Sequence, residues 1–216
     1  MENYLSKTDL LEAARENEWD FGNNQLYDLC SAYPDHKKTD IVVAKILFIG
    51  RIYAAAIERR KNKTDINDDF YIDKVAPAII SSQLDSKLQG LDNKELNEQN
   101  ISDILALHKY LSDLFNSLTG LNKRSLSSKY LHFHKPHLFF IYDSRAMGAL
   151  RSFISRIPLQ YLEILKNKNI DLEYGKFFVK AYTVKNNLEE ILGTKLTLRQ
   201  FDKILISKAN KNLVKK

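Results

Sequence analysis

Residues 104–134 read ILALHKYLSDLFNSLTGLNKRSLSSKYLHFH. Apolar residues recur here every three or four positions, which predicts an amphipathic helix that begins near Ser102. Gly120 is a typical helix stop, because glycine readily adopts the positive φ that ends many helices. A second helix is predicted at 124–134. The stretch therefore predicts two helices joined by a tight turn.

The rest of the chain indicates helices as well. Seven glycines and four prolines in 216 residues are too few for the many turns of an all-β protein. The pattern predicts further helices at 6–19, 24–32, 39–60, 70–88 with a break or kink at Pro77, 143–155, 159–166, 173–192 and 197–209. Their predicted caps are Ser6 or Thr8, Thr39-Asp40 and Thr197. We expect an all-α fold in which residues 1–216 form one unit.

Composition excludes several classes of protein. The single cysteine, Cys30, cannot form an internal disulfide or a four-cysteine metal cluster. No apolar stretch approaches the roughly 20 residues of a membrane span. The start, Met1–Tyr4, has neither the basic residues nor the apolar core of a signal peptide. A cytoplasmic protein without membrane partners is the expectation.

Charge is unevenly distributed along the sequence. Residues 1–30 carry seven acids and two bases, whereas residues 120–156 carry seven bases and one acid, Asp143. Such a basic segment is typical of a protein that binds a phosphate backbone. The alternative is a solvated face, which is the simpler interpretation for the lysine-rich C-terminal tail.

The turn between the two helices is a candidate phosphate site. A tight turn followed by a helix start directs unpaired backbone N–H groups and the helix dipole toward one point. Gly120 supplies one positive φ, and Asn122 is the residue type that next most easily adopts another. Lys123 and Arg124 add positive charge. We therefore predict that these four residues contact DNA phosphates.

Three motifs together resemble the helix-hairpin-helix superfamily of DNA glycosylases, the endonuclease-three-like enzymes. Residues 118–123 (LTGLNK) correspond to the hairpin within 104–134, and Ser127-Ser128 to the small-residue pair of its second helix. Residues 140–146 (FIYDSRA), within a segment at 138–156, correspond to the apolar approach and catalytic aspartate. Residues 196–202 (LTLRQFD) are similar to a segment of uncharacterised bacterial relatives. The resemblance implies two packed helical subdomains with double-stranded DNA between them.

The resemblance also implies an activity, namely removal of a damaged or modified base by cleavage of its N-glycosidic bond, in DNA repair or in defence against foreign DNA. Bifunctional members carry a lysine early in the second helix, where this chain has Arg124, Ser125 or Leu126. We therefore expect a monofunctional enzyme that uses water. No cofactor is expected, apart from a possible monovalent cation at the hairpin.

Asp143 is the predicted catalytic residue. Cleavage of a glycosidic bond develops positive charge on the sugar, which a fixed carboxylate stabilises while it orients the attacking water. A helix N-terminus and Arg145 would both favour the ionised form. The alternative is that Asp143 only caps a helix.

Four further residues are predicted to contact the substrate, because they lie near Asp143 in the basic segment: Tyr142, Arg145, His134 and Lys129. Most aromatic residues of this segment are expected in the core, namely Tyr130, Phe133, Phe139 and Phe140. His132, His134 and His137 do not have the i, i+4 spacing of a zinc helix, so no metal site is predicted.

Two rival functions remain open at this level. One is a non-catalytic helix-hairpin-helix module that binds DNA, and the other is a helical protein whose basic face binds an acidic partner. A cleft that contains Asp143 would favour the enzyme over the module. DNA binding that weakens steeply with salt would separate both from the partner-binding protein. We expect a monomer in each case.

Overall fold

The computed structural model describes residues 6–18, 20–64 and 66–214, and within them it contains helices and no strands. The helices are α1 Lys7–Ala14, α2 Asp20–Ala32, α3 Thr39–Ile52, α4 Asn67–Asp69, α5 Ala76–Ile80, α6 Leu84–Gln89, α7 Ile101–Thr119, α8 Arg124–His134, α9 Ser144–Phe153, α10 Leu162–Leu165, α11 Leu172–Leu192 and α12 Leu198–Val214. A π-helical turn, Phe70–Val75, joins α4 to α5, and a 3₁₀ turn, Leu159–Tyr161, precedes α10. The all-α class is confirmed.

Local capping signals define several helix ends as predicted. Ser6 and Asp9 form a capping box at the start of α1. The N–H of Gln200 donates to Oγ1 of Thr197 at 3.1 Å before α12. The first helix ends at Ala14 rather than near residue 19, because Arg15 is extended. Trp19 itself lies outside the described residues.

Helix α3 ends at Ile52, eight residues before the predicted end at Arg60. Ala54 has a φ of 51°, and the N–H of Ala55 donates to the carbonyl of Gly50 at 2.8 Å, so the chain turns back here. A Cβ on Gly50 would lie 3.2 Å from Cα of Ala56, which explains why glycine stands at this position. The turn carries the following segment toward the α7–α8 hairpin.

The chain does not break at Pro77, and a π-helical turn stands directly before the helix that contains it. The helical path continues through Pro77, which occupies the first turn of α5, and ends at Ile80. The π-helical turn directly before it widens the backbone, which accommodates a residue that has no N–H to donate. The break follows at residues 81–83, before α6 begins.

Buried apolar side chains form a connected core to which nearly every helix contributes. Helix α8 packs against α2, α3 and α7, and α9 packs against α11 and α12. Segment 138–141 between α8 and α9 is also buried, which fixes the position where α9 begins. No described helix has the length and apolarity that a membrane crossing requires.

Buried histidines predict how stability changes with pH. Burial lowers the pKa of His108 and of His132 to about 4. Between about pH 6.5 and pH 4 the unfolded chain therefore binds protons that the folded chain excludes, and the free energy of unfolding should fall by a few kcal/mol as the pH drops through this range. Urea unfolding at pH 7, 6 and 5 measures the effect.

A His132→Gln variant isolates one contribution to this pH dependence. It should flatten the decline relative to wild type, whereas His137→Gln, at an exposed position, should leave it unchanged. Equal slopes in the wild type and His132→Gln would contradict the prediction. The comparison is needed because Asp202 has the opposite dependence: burial raises its pKa to about 7, so its contribution to stability is lost as the pH rises.

Candidate active site and nucleic-acid surface

The α7–α8 turn is held by its own hydrogen bonds and by a neighbouring segment. Gly120 has a φ of 66°, as predicted, and its N–H donates to the carbonyl of Asn116 at 2.7 Å. The N–H of Lys61 donates to the carbonyl of Thr119 at 2.9 Å. The hydroxyl of Thr119 donates to the carbonyl of Phe115 at 2.7 Å and lies 3.1 Å from the carbonyl of Leu121. The carbonyl of Thr119 in this turn therefore already accepts a protein donor. The cation site remains a prediction.

Asn122 does not adopt the predicted positive φ. Ala54 is the one non-glycine residue with positive φ among the described residues. Instead, Oδ1 of Asn122 accepts from the N–H of Arg124 at 2.9 Å, and its amide lies 3.4 Å from Asp171. The N–H of Arg124, one of the groups that were predicted to face a phosphate, thus already donates to the side chain of Asn122.

Lys123 is buried, in contrast to the predicted phosphate contact. Its Nζ donates to the carbonyls of Ala56 at 3.0 Å and Arg59 at 2.5 Å. Burial lowers its pKa to about 8. Because the turn after α3 presents these two carbonyls, the ammonium stabilises the contact between this turn and the hairpin and does not face solvent.

Arg124 forms an ion pair that ties the hairpin to α11. Its Nε donates to Oδ1 of Asp171 at 2.7 Å, and the same carboxylate caps α11 through the N–H of Tyr174 at 2.9 Å. The pKa of Asp171 is raised by burial but lowered further by this arginine, so it stays below its usual value. Arg124 thus has a structural role, and its predicted phosphate contact stays a prediction.

Asp143 begins α9 and is half-buried. Its Oδ1 accepts a hydrogen bond from the N–H of Ala146 at 2.8 Å, so Asp143 caps α9. Its catalytic role stays a prediction. The N–H of Tyr142 donates to Oγ of Ser128 at 3.0 Å, which fixes the approach to α9 against α8. The predicted small-residue pair thus has a clear role, since one of its hydroxyls positions the candidate catalytic aspartate.

Lys129 lies in the electrostatic field of Asp143, although the two residues are 14 positions apart in the sequence. Its side chain is buried, its Nζ donates to Oγ of Ser125 at 2.8 Å, and it lies 5.5 Å from the ring centre of Tyr53. Burial lowers its pKa, and the charges of Asp143 and Asp202 partly oppose this. The sequence predicted Lys129 near Asp143, but it did not predict that the amine is buried.

Asp202 and Arg199 were also missed as site residues. Asp202 is buried on α12, and its Oδ2 accepts from Arg199 at 2.7 Å, while its Oδ1 has no partner among the described residues. Burial raises the pKa of Asp202 to about 7, and the charge of Asp143 adds to this. A signal existed: Asp202 occupies the same helix face as Leu198 and Leu205, where an apolar residue would be expected.

The histidines of α8 use both ring nitrogens within the protein. His132 donates to the carbonyl of Phe139 at 2.7 Å and accepts from Tyr27 at 2.6 Å. His134 donates to the carbonyl of Tyr130 at 2.8 Å and lies 3.2 Å from Nζ of Lys45. No group of three or more potential ligands in the described ranges could hold a metal ion.

The aromatic residues behave largely as expected. Tyr130, Phe139 and Phe140 are fully buried core residues. Phe133 is buried too, yet it lines a cavity of about 600 Å³ together with His134. Tyr142 packs edge-on against Phe177 with ring centres 5.1 Å apart.

An exposed cationic surface lies on α9 and the neighbouring α11. Arg145 and Arg151 are exposed on α9, with Arg156 just beyond it. Lys180 on α11 has its pKa lowered by burial and by the positive charges of Arg151 and Lys176, which shows that these cations are close together. Positive charges are therefore clustered on the exposed side of α9. They belong to other residues than the hairpin residues that were predicted to bind phosphate.

Lys129 lies within the electrostatic field of Asp143, and Arg145 is exposed at the start of α9, where it contacts Asn210. His134 lines a cavity that Asp143 does not line. The chain matches no protein-family model, no curated protein sequence and no solved structure.

Proposed function

We propose that this protein is a DNA N-glycosylase that hydrolyses the bond between a damaged or modified base and its sugar. The observation that carries the proposal is Asp143, a half-exposed carboxylate at the start of α9, with a buried lysine in its field and the cations of α9 beside it. The resemblance of the hairpin and of residues 140–146 to helix-hairpin-helix glycosylases supports the same function.

The chemistry requires one carboxylate and one water. As the C1′–N bond breaks, its electron pair leaves with the base, and positive charge develops on the sugar. Asp143 stabilises this charge and accepts a proton from the water whose oxygen bonds to C1′. The base is protonated on departure, and the product is an intact strand with an abasic site. The target nucleotide must leave the duplex to reach the carboxylate.

Base release is the direct test of this function. Duplexes that each carry one modified base (uracil, hypoxanthine, 8-oxoguanine or 7-methylguanine) are incubated with the protein, and abasic sites are revealed by alkaline cleavage. Release from at least one duplex supports the proposal. Salt-dependent DNA binding without release from any of the four would favour the non-catalytic module, and no DNA binding would favour the partner-binding protein.

The cationic face of α9 predicts the DNA-binding surface. Arg151→Glu should weaken binding to all DNA sequences about equally and reduce the slope of log affinity against log salt, because phosphate contacts carry no sequence information. Lys38→Glu changes an exposed cation directly before α3; it is the matched control and should have little effect. Fluorescence anisotropy at several salt concentrations measures both. A loss confined to one DNA sequence would contradict this role.

Lys129 favours a second candidate, in which the same protein also cleaves the strand. A buried lysine with a lowered pKa can attack C1′ as an amine and form a Schiff base with the opened sugar. The monofunctional proposal predicts that borohydride traps no protein–DNA adduct on abasic DNA. An adduct that forms with the wild type and disappears in Lys129→Gln would replace the hydrolytic proposal by the lyase.

A further inference from the structure

A cavity lies between α2, the end of α8 and the start of α12. Its volume is about 600 Å³, which falls within the range of pockets for small organic ligands. Neither Asp143 nor Lys129 lines it, so it is a second site beside the one described above. Its walls are made by residues distant in sequence, and no helix end alone creates it.

Two aromatic rings form one wall of the cavity. Tyr27 on α2 and Phe133 on α8 both line it, with ring centres 4.8 Å apart and planes tilted by 48°. The Tyr27 hydroxyl is held by His132 at 2.6 Å, so the ring is fixed in position. Such rings provide flat apolar surface against which a planar heterocycle can stack.

The opposite wall is polar but carries little net charge. Asp20 pairs with Lys203 at 2.5 Å and with Arg199 at 3.4 Å. Although burial raises the pKa of Asp20, the hydrogen bond from Lys203 keeps it below its usual value, so the carboxylate is ionised. Glu16 is the other acid of the lining, which gives two acids against two bases. A balanced lining favours a neutral ligand over a phosphate.

Arg199 and its neighbour Asp202 leave two buried polar atoms unpaired. Nε of Arg199 and Oδ1 of Asp202 have no hydrogen-bond partner among the described residues. Unpaired buried polar atoms reduce stability, and such groups tend to be kept where they serve a function. Arg199 lines the cavity, so the loss of stability that comes from its unpaired Nε arises at the cavity wall.

We infer that this cavity binds a guanine-type base. Guanine is neutral and planar, and it presents O6 and N7 as adjacent acceptors together with an amino donor. Arg199 and Lys203 carry more N–H donors than their pairs with Asp20 and Asp202 use, and such donors suit O6 and N7. Asp20 is fully engaged by these pairs, so Glu16 is the acceptor of the lining that suits the amino group. Adenine replaces the O6 acceptor by a donor, and pyrimidines offer less surface to Tyr27 and Phe133. The base comes from a free nucleoside or from a nucleotide extruded from DNA.

Guanosine binding tests this inference without any bond cleavage, so its failure is independent of the proposed glycosylase. The wild-type protein is titrated calorimetrically with guanosine, adenosine and cytidine. We expect guanosine to bind at least about tenfold more tightly than the other two. Absence of guanosine binding, or equal binding of the three nucleosides, would overturn the inference.

A blocking variant with a matched control locates the binding site. Asn24 is exposed on α2 at the cavity, and Asn187 is exposed on α11 away from it. Asn24→Trp should weaken guanosine binding about tenfold or more, and Asn187→Trp should leave it unchanged. Ser31→Phe, also at the cavity, provides a second blocking variant if Asn24→Trp fails to fold. Undiminished binding in a folded blocking variant would contradict the assignment.

The source of the base is decided by a parallel titration. A thymidine oligonucleotide with a single guanine is titrated into the same variants. If Asn24→Trp weakens both guanosine and this oligonucleotide, the cavity receives a base from DNA. If only guanosine binding is lost, the ligand is a free nucleoside.

Discussion

Asp143→Asn should abolish base release while the protein remains folded and binds DNA with its wild-type affinity. Asparagine has nearly the same size and can accept the hydrogen bond from Ala146 that begins α9. What is lost is the negative charge that stabilises the sugar and activates water. Loss of such a group lowers rates by roughly 10²–10⁴-fold. Single-turnover base release on the duplex that the wild type cleaves best measures the effect.

Asp113→Asn is the matched control for this variant, since Asp113 is an exposed aspartate on α7 paired with Lys109. It should release base at the wild-type rate. DNA binding and thermal unfolding of both variants show whether the loss is chemical. If Asp143→Asn also turns over at the wild-type rate, Asp143 acts as a helix cap alone, and the glycosylase proposal loses its catalytic residue.

Asp171→Ala should strongly destabilise the fold. The substitution removes the ion pair with Arg124 and the contact with Asn122, which join the hairpin to α11, and it also removes the cap that Asp171 provides to the N–H of Tyr174. Removing one partner of a buried ion pair costs about 3–5 kcal/mol. For a chain of this size, that corresponds to a decrease in Tm of roughly 6–20 °C. Thermal unfolding followed by circular dichroism measures the change.

Asp113→Ala provides the comparison, because it breaks an exposed pair within one helix turn. Such pairs contribute about 0.3–0.5 kcal/mol, so its Tm should change by at most about 2 °C. A similarly small change in Asp171→Ala would contradict the structural role of Arg124. It would also reopen the prediction that Arg124 binds phosphate.

The hairpin shows how far sequence reasoning reached. The bounds of α8 and the positive φ of Gly120 could be predicted, because both depend on residues within a few positions. The burial of Lys123 could not be predicted from the sequence. Its ammonium binds carbonyls 64 and 67 positions earlier, which the turn after α3 presents. Without that turn, an arginine or lysine beside a glycine turn looks like a phosphate contact.

The candidate site divides in the same way. The position of Asp143 after an apolar run predicted that it begins a helix, and in the structure it caps α9. Its proximity to Lys129 and Asp202 depends on the packing of α8, α9 and α12, which no local pattern reveals. The sequence did carry one further signal, an aspartate at an apolar position of α12. It indicates a buried carboxyl group, but not its neighbours.

The sequence by itself determined the all-α class and most helix ends, because helix formation depends on periodicity, caps and stop residues that are close together in the chain. Only the tertiary structure decided which charged groups are buried and which face solvent. Burial and ion pairing join residues far apart in sequence, as in Arg124 with Asp171 or Asp20 with Lys203. These long-range contacts set the pKa values and enclose the cavity, so they decide where chemistry and binding can occur.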